Sequence, residues 1–376
     1  MSGELSSEQL RSYFDQDVRP YLDEQRPQAS SGRSGSPVLV FTGGQPGAGK
    51  SRANERAAQA RPSLVAVIGD DLRQFHPDYV QLMQDDPLAM PEMTAQASGR
   101  WIGMSADYLR EQRADVLIET TLRSPDAMAR TISGFREAGY AVELRVVAVP
   151  EEVSRLSTVE RYTGQVAATG AGRWTPSAAH DEAYARAAGT VEGLVSSGAV
   201  DRVVLEDRAG RVVFESNYFG SSDSELKAAG MTAAAALEHA RGIDQMVPET
   251  ARSWIGLAKE QIESVRGLGQ QDEDLSATIE RIGTIDANAV AARAFPHESA
   301  RADSAAESLS VAAREAVRST KQSTTSAERP TVPASFPQAV AQATIQRPQT
   351  GKLSGPRAVY RGSNAPGRGS DTGPAK

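Results

Sequence analysis

The segment GGQPGAGKS, residues 43–51, carries the clearest chemical signal in this chain of 376 residues. It contains the pattern G-x-x-x-x-G-K-[ST] at Gly44, Gly49, Lys50 and Ser51, with an apolar stretch before it and a helical one after it. In such a loop the backbone N–H groups surround a β-phosphate, the lysine reaches the β- and γ-oxygens, and the serine hydroxyl binds Mg²⁺. The segment therefore predicts binding of ATP or GTP. A glycine-rich turn that binds nothing is the alternative.

Carboxylates follow the next two apolar stretches of the sequence. Asp70 and Asp71 come at the end of LVAVIGDD, and Glu119 lies in ADVLIETTLR together with Thr121 and Arg123. If both stretches are parallel strands, their carboxyl ends meet at the edge of the sheet where ligands bind. A carboxylate beside a magnesium nucleotide could accept the proton of a hydroxyl group during phosphoryl transfer. Each carboxylate taken singly could equally be a turn or helix-cap residue.

Two arginines on either side of a loop rich in glycine and threonine complete the set. Arg161 lies in VERYTG and Arg173 in TGAGRW. Mobile cationic side chains at such a loop could fold over a γ-phosphate as charge develops on it. Spacing alone is as compatible with two solvated arginines.

Alternating apolar runs and helical sequence must position these residues. From about Pro37 the strands VLVFTG, LVAVIG, ADVLIET and AVELRVVAVP alternate with helices, two of which begin near Gly49 and Ser124. The later segment VDRVVLEDRAGRVVFES predicts two strands joined by a turn that contains glycine. This order predicts an α/β fold, with a mostly parallel sheet covered by helices on both faces.

Composition divides the chain into four segments. Residues 1–36 are predicted to form a short helix, in which Ser6 and Gln9 have capping-box spacing, and a Ser/Gly-rich linker. Residues 37–222 form the predicted phosphate-binding domain, and residues 223–318 a helical extension. In the extension one stripe is expected to pack as core: Trp254, Ala258, Ile262 and Val265. Residues 319–376 lack periodicity and are predicted to be a disordered basic tail.

Composition also excludes several classes of protein. The chain has no cysteine, which excludes disulfides, thiolate metal sites and cysteine catalysis. From Lys321 onward there are eight basic residues and two acidic ones, a net charge of +6. Because the whole chain has a net charge of −7, the residues before Lys321 carry −13 and form a poor surface for nucleic acid. The polar start MSGELSSEQL and the lack of a long apolar run predict neither a signal peptide nor contact with a membrane. We expect a cytoplasmic protein and leave delivery into another cell open.

Five motifs in this order resemble the zeta toxin family of P-loop kinases, which are known as toxins of bacterial toxin–antitoxin pairs. They are GGQPGAGKS, GDDLRQFHP, IETTLR, VERY and GRWTPSAAHD, and the resemblance covers about residues 37–218. It implies a P-loop kinase fold with ATP and Mg²⁺ as cofactors. The implied reaction is phosphorylation of the 3′-hydroxyl of the sugar in UDP-N-acetylglucosamine, which starves cell-wall synthesis. The implied partners are this nucleotide-sugar substrate and a small helical antitoxin or immunity protein.

The resemblance also implies roles for individual residues. Asp70 is preferred to Asp71 as the base, because counting back from the pair His76-Pro77 aligns it with the family's aspartate. The implied catalytic residues are Lys50, Asp70, Arg161 and Arg173. The predicted nucleotide-binding residues are Gly44, Gly47, Gly49, Lys50, Ser51 and Arg52, with Ser51 as the metal ligand. The implied substrate-binding residues are Asp70, Glu119, Thr121 and Arg123.

One position departs from the family pattern. In the helix before the third strand, where the family usually has a glutamate that contacts substrate, ASGRWIGM offers Gly103. The identity of the acceptor is therefore open, since an effector branch with the same core phosphorylates NAD.

Two other classes of function compete with a small-molecule kinase. A motor or switch NTPase is disfavoured, because VLIETT lacks the usual apolar run followed by aspartate and no water-positioning glutamine is evident. In the other class, the extension and tail would form an interaction or delivery protein around an inactive kinase core. A further hypothesis is that residues 223–318 dock on the core and restrain it in cis.

Overall fold

The computed structural model describes residues 4–26, 35–268 and 272–323 of the chain. Most of the linker predicted within residues 1–36, and most of the tail predicted at residues 319–376, lie outside this described part. What the sequence predicts for those two segments stays a prediction.

A six-stranded sheet organises the fold, in the order β2-β3-β1-β4-β5-β6. β1 to β5 run parallel, and β6 pairs antiparallel with β5 at the edge. The prediction of a mostly parallel sheet is confirmed, including the final pair of strands. The strands are β1 Val38–Gly43, β2 Leu64–Val67, β3 Asp115–Thr120, β4 Ala141–Val147, β5 Arg202–Glu206 and β6 Val212–Asn217.

Helices cover the sheet and continue beyond it. The capping box predicted at Ser6 and Gln9 begins the first helix. Five-residue π-helical segments connect α1 to α2 at Phe14–Val18 and α13 to α14 at Ile282–Asp286. The α-helices are α1 Ser7–Tyr13, α2 Arg19–Gln25, α3 Lys50–Ala60, α4 Gly69–Leu72, α5 Tyr79–Asp85, α6 Met90–Met93, α7 Ala95–Glu111, α8 Pro125–Glu137, α9 Glu151–Thr169, α10 Ser177–Ser196, α11 Asp223–Ala240, α12 Pro248–Gly267, α13 Glu273–Arg281, α14 Ala287–Ala294 and α15 Ser299–Ser323.

The side chains of β1 show why the parallel strands read as continuous apolar runs. Leu39 and Phe41 face the largest core, whereas Val38 and Val40 pack on the opposite side of the sheet with Ala57 of α3. Both faces are covered, so neither set of side chains can be polar. The phosphate loop begins directly after Gly43, the last residue of this buried strand.

The N-terminal helices belong to the same core as the sheet. Leu10 of α1 is buried there, and its carbonyl oxygen accepts a hydrogen bond of 3.0 Å from the indole N–H of Trp101 in α7. The Gln25 side chain at the end of α2 accepts a bond of 3.2 Å from the backbone N–H of Ala66 in β2. These helices thus close the β2 edge of the sheet, which would otherwise offer unpaired backbone groups.

The helical C-terminal extension is present, as predicted. Its first helix, α11, packs on α10 as part of the largest core. The helices α12 to α15 form a second core together with apolar side chains of α9. The stripe predicted to pack as core is buried in this second core, namely Trp254, Ala258, Ile262 and Val265. Among the described helices, none has both the length and the apolar character that crossing a membrane requires.

Candidate active site

The loop between β1 and α3 can be built only with glycine at several positions. Gly44, Gly47 and Gly49 have φ angles of 152°, 78° and 100°, values that residues with a side chain rarely adopt. A Cβ atom added at Gly47 would lie 2.0 Å from the carbonyl oxygen of Ser154 in α9. Gly49 is the N-cap of α3, so the loop leads directly into a helix N-terminus. This arrangement suits an anion bound by backbone N–H groups.

Lys50 lies at the mouth between the phosphate loop and the end of β3. Its ammonium group donates hydrogen bonds to the carbonyl oxygens of Gly44 at 3.0 Å and Gln45 at 3.2 Å. The same Nζ atom is 3.7 Å from Oε1 of Glu119, whose other oxygen accepts a bond of 2.9 Å from Asn54. Lys50 is 8 % exposed, so its charge acts in a poorly solvated place. An incoming phosphate could take over the bonds that now go to the loop carbonyls.

Asp70, on the short helix α4 after β2, is surrounded by guanidinium groups. One carboxylate oxygen accepts a hydrogen bond from Arg173, and the other lies 3.3 Å from Nε of Arg73. Burial by itself would raise the pKa of Asp70. The positive charges, that of Arg173 above all, outweigh this effect and hold the pKa well below its ordinary value. The side chain remains 44 % exposed, so it faces an open cleft.

Asp71 has a different environment from its neighbour. The hydroxyl group of Tyr21 in α2 interacts with its carboxylate and favours the charged form. Burial, together with the negative charges of Asp70 and Glu119, raises the pKa of Asp71 to about 6. The two adjacent aspartates therefore differ in pKa, although both are mostly ionised at neutral pH, and of the two Asp70 is the one that forms ion pairs with arginines.

The two predicted arginines meet at this cleft. Arg161, on α9, donates a hydrogen bond to the hydroxyl group of Thr175, and its Nε is buried without a hydrogen-bond partner among the residues that the structure describes. Burial and the nearby charge of Arg173 lower the pKa of Arg161 to about 10. Arg173 lies in the loop between α9 and α10 and reaches across to Asp70. Two cations held this close together favour binding of an anion with several oxygens.

The structure brings some predicted residues together and leaves others at the rim. Lys50, Asp70, Glu119, Arg161 and Arg173 interact with one another around the cleft. Ser51 and Arg52 are exposed on the first turn of α3. Arg123 donates to the hydroxyl group of Thr121 at 3.1 Å, and its guanidinium group lies 3.6 Å from the carboxylate of Glu182 in α10.

Gly103 offers no contact with the cleft in this structure. It is exposed on α7, and a Cβ atom built there would have no heavy atom within 4 Å. The substrate contact that the family resemblance implies in this helix therefore has no side chain at this position.

Three residues near the cleft were not singled out from the sequence. Arg73 shares Asp70 and is itself held by the hydroxyl group of Thr94 at 2.6 Å. Arg208, in the turn between β5 and β6, passes 3.5 Å from the position of a Cβ added at Gly49. Tyr21 reaches Asp71 from the N-terminal helices. The spacing of three residues from Asp70 could have indicated Arg73, whereas no local signal marks the other two.

Comparisons with known proteins agree on one family. The Zeta toxin family model matches residues 22–218. Toxin PezT of Streptococcus pneumoniae is 27 % identical over 222 residues, which are 58 % of this chain and 88 % of that toxin. Toxin zeta of Enterococcus hirae is 29 % identical over 183 residues, which are 48 % of this chain and 64 % of that toxin.

A solved structure shares the fold. It comes from the PezAT chromosomal toxin–antitoxin system of Streptococcus pneumoniae and superposes with a TM-score of 0.56 at 22 % identity. The match covers 69 % of this chain and 99 % of that one.

Proposed function

Because this chain belongs to the zeta toxin family, we propose that it is an ATP-dependent kinase that phosphorylates a hydroxyl group of a small molecule and acts as a bacterial toxin. The observation that carries this proposal is the pairing of Asp70 with Arg173 opposite the phosphate loop. A base for a hydroxyl group and a cation for a phosphoryl group lie side by side there. Phosphoryl transfer to a hydroxyl group needs both a base and a cation of this kind.

The proposed reaction uses each of these groups. The acceptor oxygen forms a bond to the γ-phosphorus of ATP while the bond to the bridging oxygen breaks and ADP leaves. Lys50, Arg161 and Arg173 neutralise the charge that spreads over the phosphoryl oxygens. Asp70 accepts the proton of the hydroxyl group.

A change of partner would make Asp70 a better base. In the structure Arg173 holds the pKa of Asp70 low. A γ-phosphate competes for the same guanidinium group, and once Arg173 turns to it the effect of burial raises the pKa of the carboxyl group. Substrate binding would thus prepare the base at the moment when it is needed.

The cleft also fits a magnesium nucleotide. The described residues contain no cluster of three or more histidine, cysteine, aspartate or glutamate side chains that could hold a metal ion. Mg²⁺ bound to a nucleotide does not require one, because the phosphates and water supply most of its ligands. Ser51 would be the protein ligand, and the metal would neutralise phosphate charge.

For the acceptor, we propose the 3′-hydroxyl of the sugar in UDP-N-acetylglucosamine, bound by Asp70, Glu119, Thr121 and Arg123. The open surface at Gly103 favours keeping NAD as a second candidate. The test is incubation of the full chain with ATP and a panel of nucleotide sugars, NAD and nucleosides, followed by mass spectrometry. Gain of one phosphoryl group by the nucleotide sugar supports the first candidate, and gain by NAD replaces it with the second. Release of phosphate without any acceptor would favour an NTPase.

Replacement of Arg173 by alanine should lower kcat by about 100-fold or more and weaken ATP binding by less than about threefold. The physical reason is that Arg173 binds the phosphoryl oxygens more strongly in the transition state, when negative charge develops on them, than in the ground state. Steady-state kinetics and nucleotide titration measure the two effects separately. Arg211→Ala is the matched control, since within the described part of the chain that arginine pairs only with nearby Asp207, and it is 84 % exposed. An unchanged kcat in Arg173→Ala would remove this residue from the mechanism.

We further propose that a separate antitoxin or immunity protein restrains the kinase. The solved structure that shares this fold comes from a toxin–antitoxin system, PezAT of Streptococcus pneumoniae. Expression of the chain alone should then be toxic to a bacterial host, and expression of Lys50→Ala should not. Equal toxicity of both proteins would contradict a kinase toxin and favour the interaction-protein hypothesis.

A further inference from the structure

We propose that the C-terminal extension positions the catalytic arginine loop, and that Asp274 is the residue through which it does so. The arginine loop is the segment of residues 170–176 between α9 and α10, which carries Arg173. The inference rests on the proposed function, because it assigns Asp274 a positioning role in phosphoryl transfer. It also predicts that the arginine loop is less well fixed without Asp274, which can be tested without measuring catalysis.

Asp274, on the first turn of α13, makes three hydrogen bonds to the end of this loop and to the first residue of α10. Its Oδ2 accepts from the indole N–H of Trp174 at 2.7 Å and from the backbone N–H of Ser177 at 2.9 Å. Its Oδ1 accepts from the hydroxyl group of Ser177. Both oxygens of one carboxylate are therefore used to hold a segment about 100 residues earlier in the chain.

The bond to Ser177 also supplies a missing helix cap. α10 begins at Ser177, and its N-cap residue is Pro176, which makes no side-chain capping bond. The first N–H groups of a helix have no partner inside it, and a negative charge there is stabilising. Asp274 provides both the acceptor and the charge from another element. Its removal would leave the start of α10, and the loop that leads into it, less well fixed.

Aromatic neighbours connect both arginines to the second core. Tyr162 follows Arg161, Trp174 follows Arg173, and the two rings pack edge to face at 5.7 Å. Both rings belong to the second core, together with side chains of α12 to α15. The same short backbone segments thus direct an aromatic ring toward the extension and a guanidinium group toward the cleft.

Further polar contacts fix the extension against α9. Arg155 is 2 % exposed and donates from Nε to Asp286 of the π-helical segment at 3.1 Å. The hydroxyl group of Thr163 donates to the side chain of Gln261 in α12 at 2.6 Å. Buried contacts of this kind are costly to break on one side only. The extension is therefore a fixed support from which Asp274 can act.

This arrangement differs from restraint in cis, the hypothesis that the sequence left open. Restraint predicts that loss of contact between extension and core raises activity. Support of the arginine loop predicts that it lowers activity. A single substitution in the full chain separates the two, and it avoids a truncation that would remove α11 from the largest core.

The test is Asp274→Ala in the full chain. We expect kcat to fall by about tenfold or more, with KM for ATP changed by less than about threefold, as for loss of a transition-state contact. In the Arg173→Ala background the same substitution should have less than about a twofold further effect, since residues that act as a unit are not additive. The control is Arg252→Ala, which removes a bond of 3.0 Å to Ala294 within the extension. It should leave kcat unchanged.

A second readout does not require catalysis. Trypsin should cut after Arg173 about tenfold faster in Asp274→Ala than in the wild type, because a loosened loop is a better protease substrate. If the wild type shows no kinase activity, this readout alone decides the inference while the proposed function fails. Unchanged cleavage would overturn the inference. So would a rise in kcat, or a fall in kcat that is equally large in the Arg173→Ala background.

Discussion

Replacement of Lys50 by alanine is expected to reduce phosphoryl transfer by about a thousandfold or more. Lys50 is the charged side chain of the phosphate loop, and its ammonium group is placed between the loop carbonyls and Glu119. Without it the β- and γ-oxygens lose the charge that the loop supplies, and Glu119 faces them uncompensated. Turnover with saturating ATP and acceptor measures the effect.

Two controls make this result interpretable. Lys227→Ala removes an exposed lysine of α11 and should leave turnover unchanged. A thermal melt of Lys50→Ala should show a folded protein, since Asn54 still holds the Glu119 carboxylate. Retained turnover in a folded Lys50→Ala protein would contradict the assignment of residues 43–51 as the phosphate-binding loop.

Replacement of Asp70 by asparagine should lower kcat by about 10²- to 10⁴-fold while ATP still binds. The amide keeps the shape of the side chain but cannot accept the proton of the acceptor hydroxyl. It also ends the ion pairs with Arg173 and Arg73, so ATP affinity should stay the same or rise as these cations become free for phosphate. Single-turnover kinetics and ATP titration measure the two effects.

The adjacent residue provides the matched control. Asp71→Asn changes the same chemical group one position along the chain, where the carboxylate interacts with Tyr21 and feels the charge of Arg173 but lacks the hydrogen bond that Arg173 donates to Asp70. Its effect on kcat should be less than about tenfold. If Asp71→Asn abolishes transfer while Asp70→Asn does not, the role of base belongs to Asp71, whose raised pKa would suit it.

Much of the fold could be predicted from the sequence because the strands are buried on both faces. Leu39 and Phe41 pack on one side of β1 while Val38 and Val40 pack on the other, and such a strand reads as one apolar run. The association of the N-terminal helices with this core was not predictable in the same way. Leu10 becomes buried only because a distant helix presents Trp101 to it, and local pattern does not report such contacts.

The residues of the candidate site also fall into two groups, those that local sequence could predict and those that depend on distant contacts. Lys50 follows the loop after β1, and Asp70 follows β2 closely. Their location in the site could be predicted from the sequence because parallel strands end at one edge of the sheet. Asp274 could not, since its partners lie about 100 residues away and its own surroundings resemble an ordinary helix start. Residues that follow the strands belong to the family motifs, whereas the role of Asp274 depends on how the extension packs.

The most direct test of the proposed function is ³¹P NMR of the full chain with ATP, Mg²⁺ and UDP-N-acetylglucosamine. A hydroxyl-directed kinase should consume the γ-phosphate signal and produce an equal amount of ADP and of a new phosphomonoester signal coupled to a sugar proton. The Lys50→Ala protein should leave ATP intact. Growth of an inorganic phosphate signal at the same rate with and without the nucleotide sugar, and no new monoester with it or with NAD, would contradict the assignment of this chain as a small-molecule kinase.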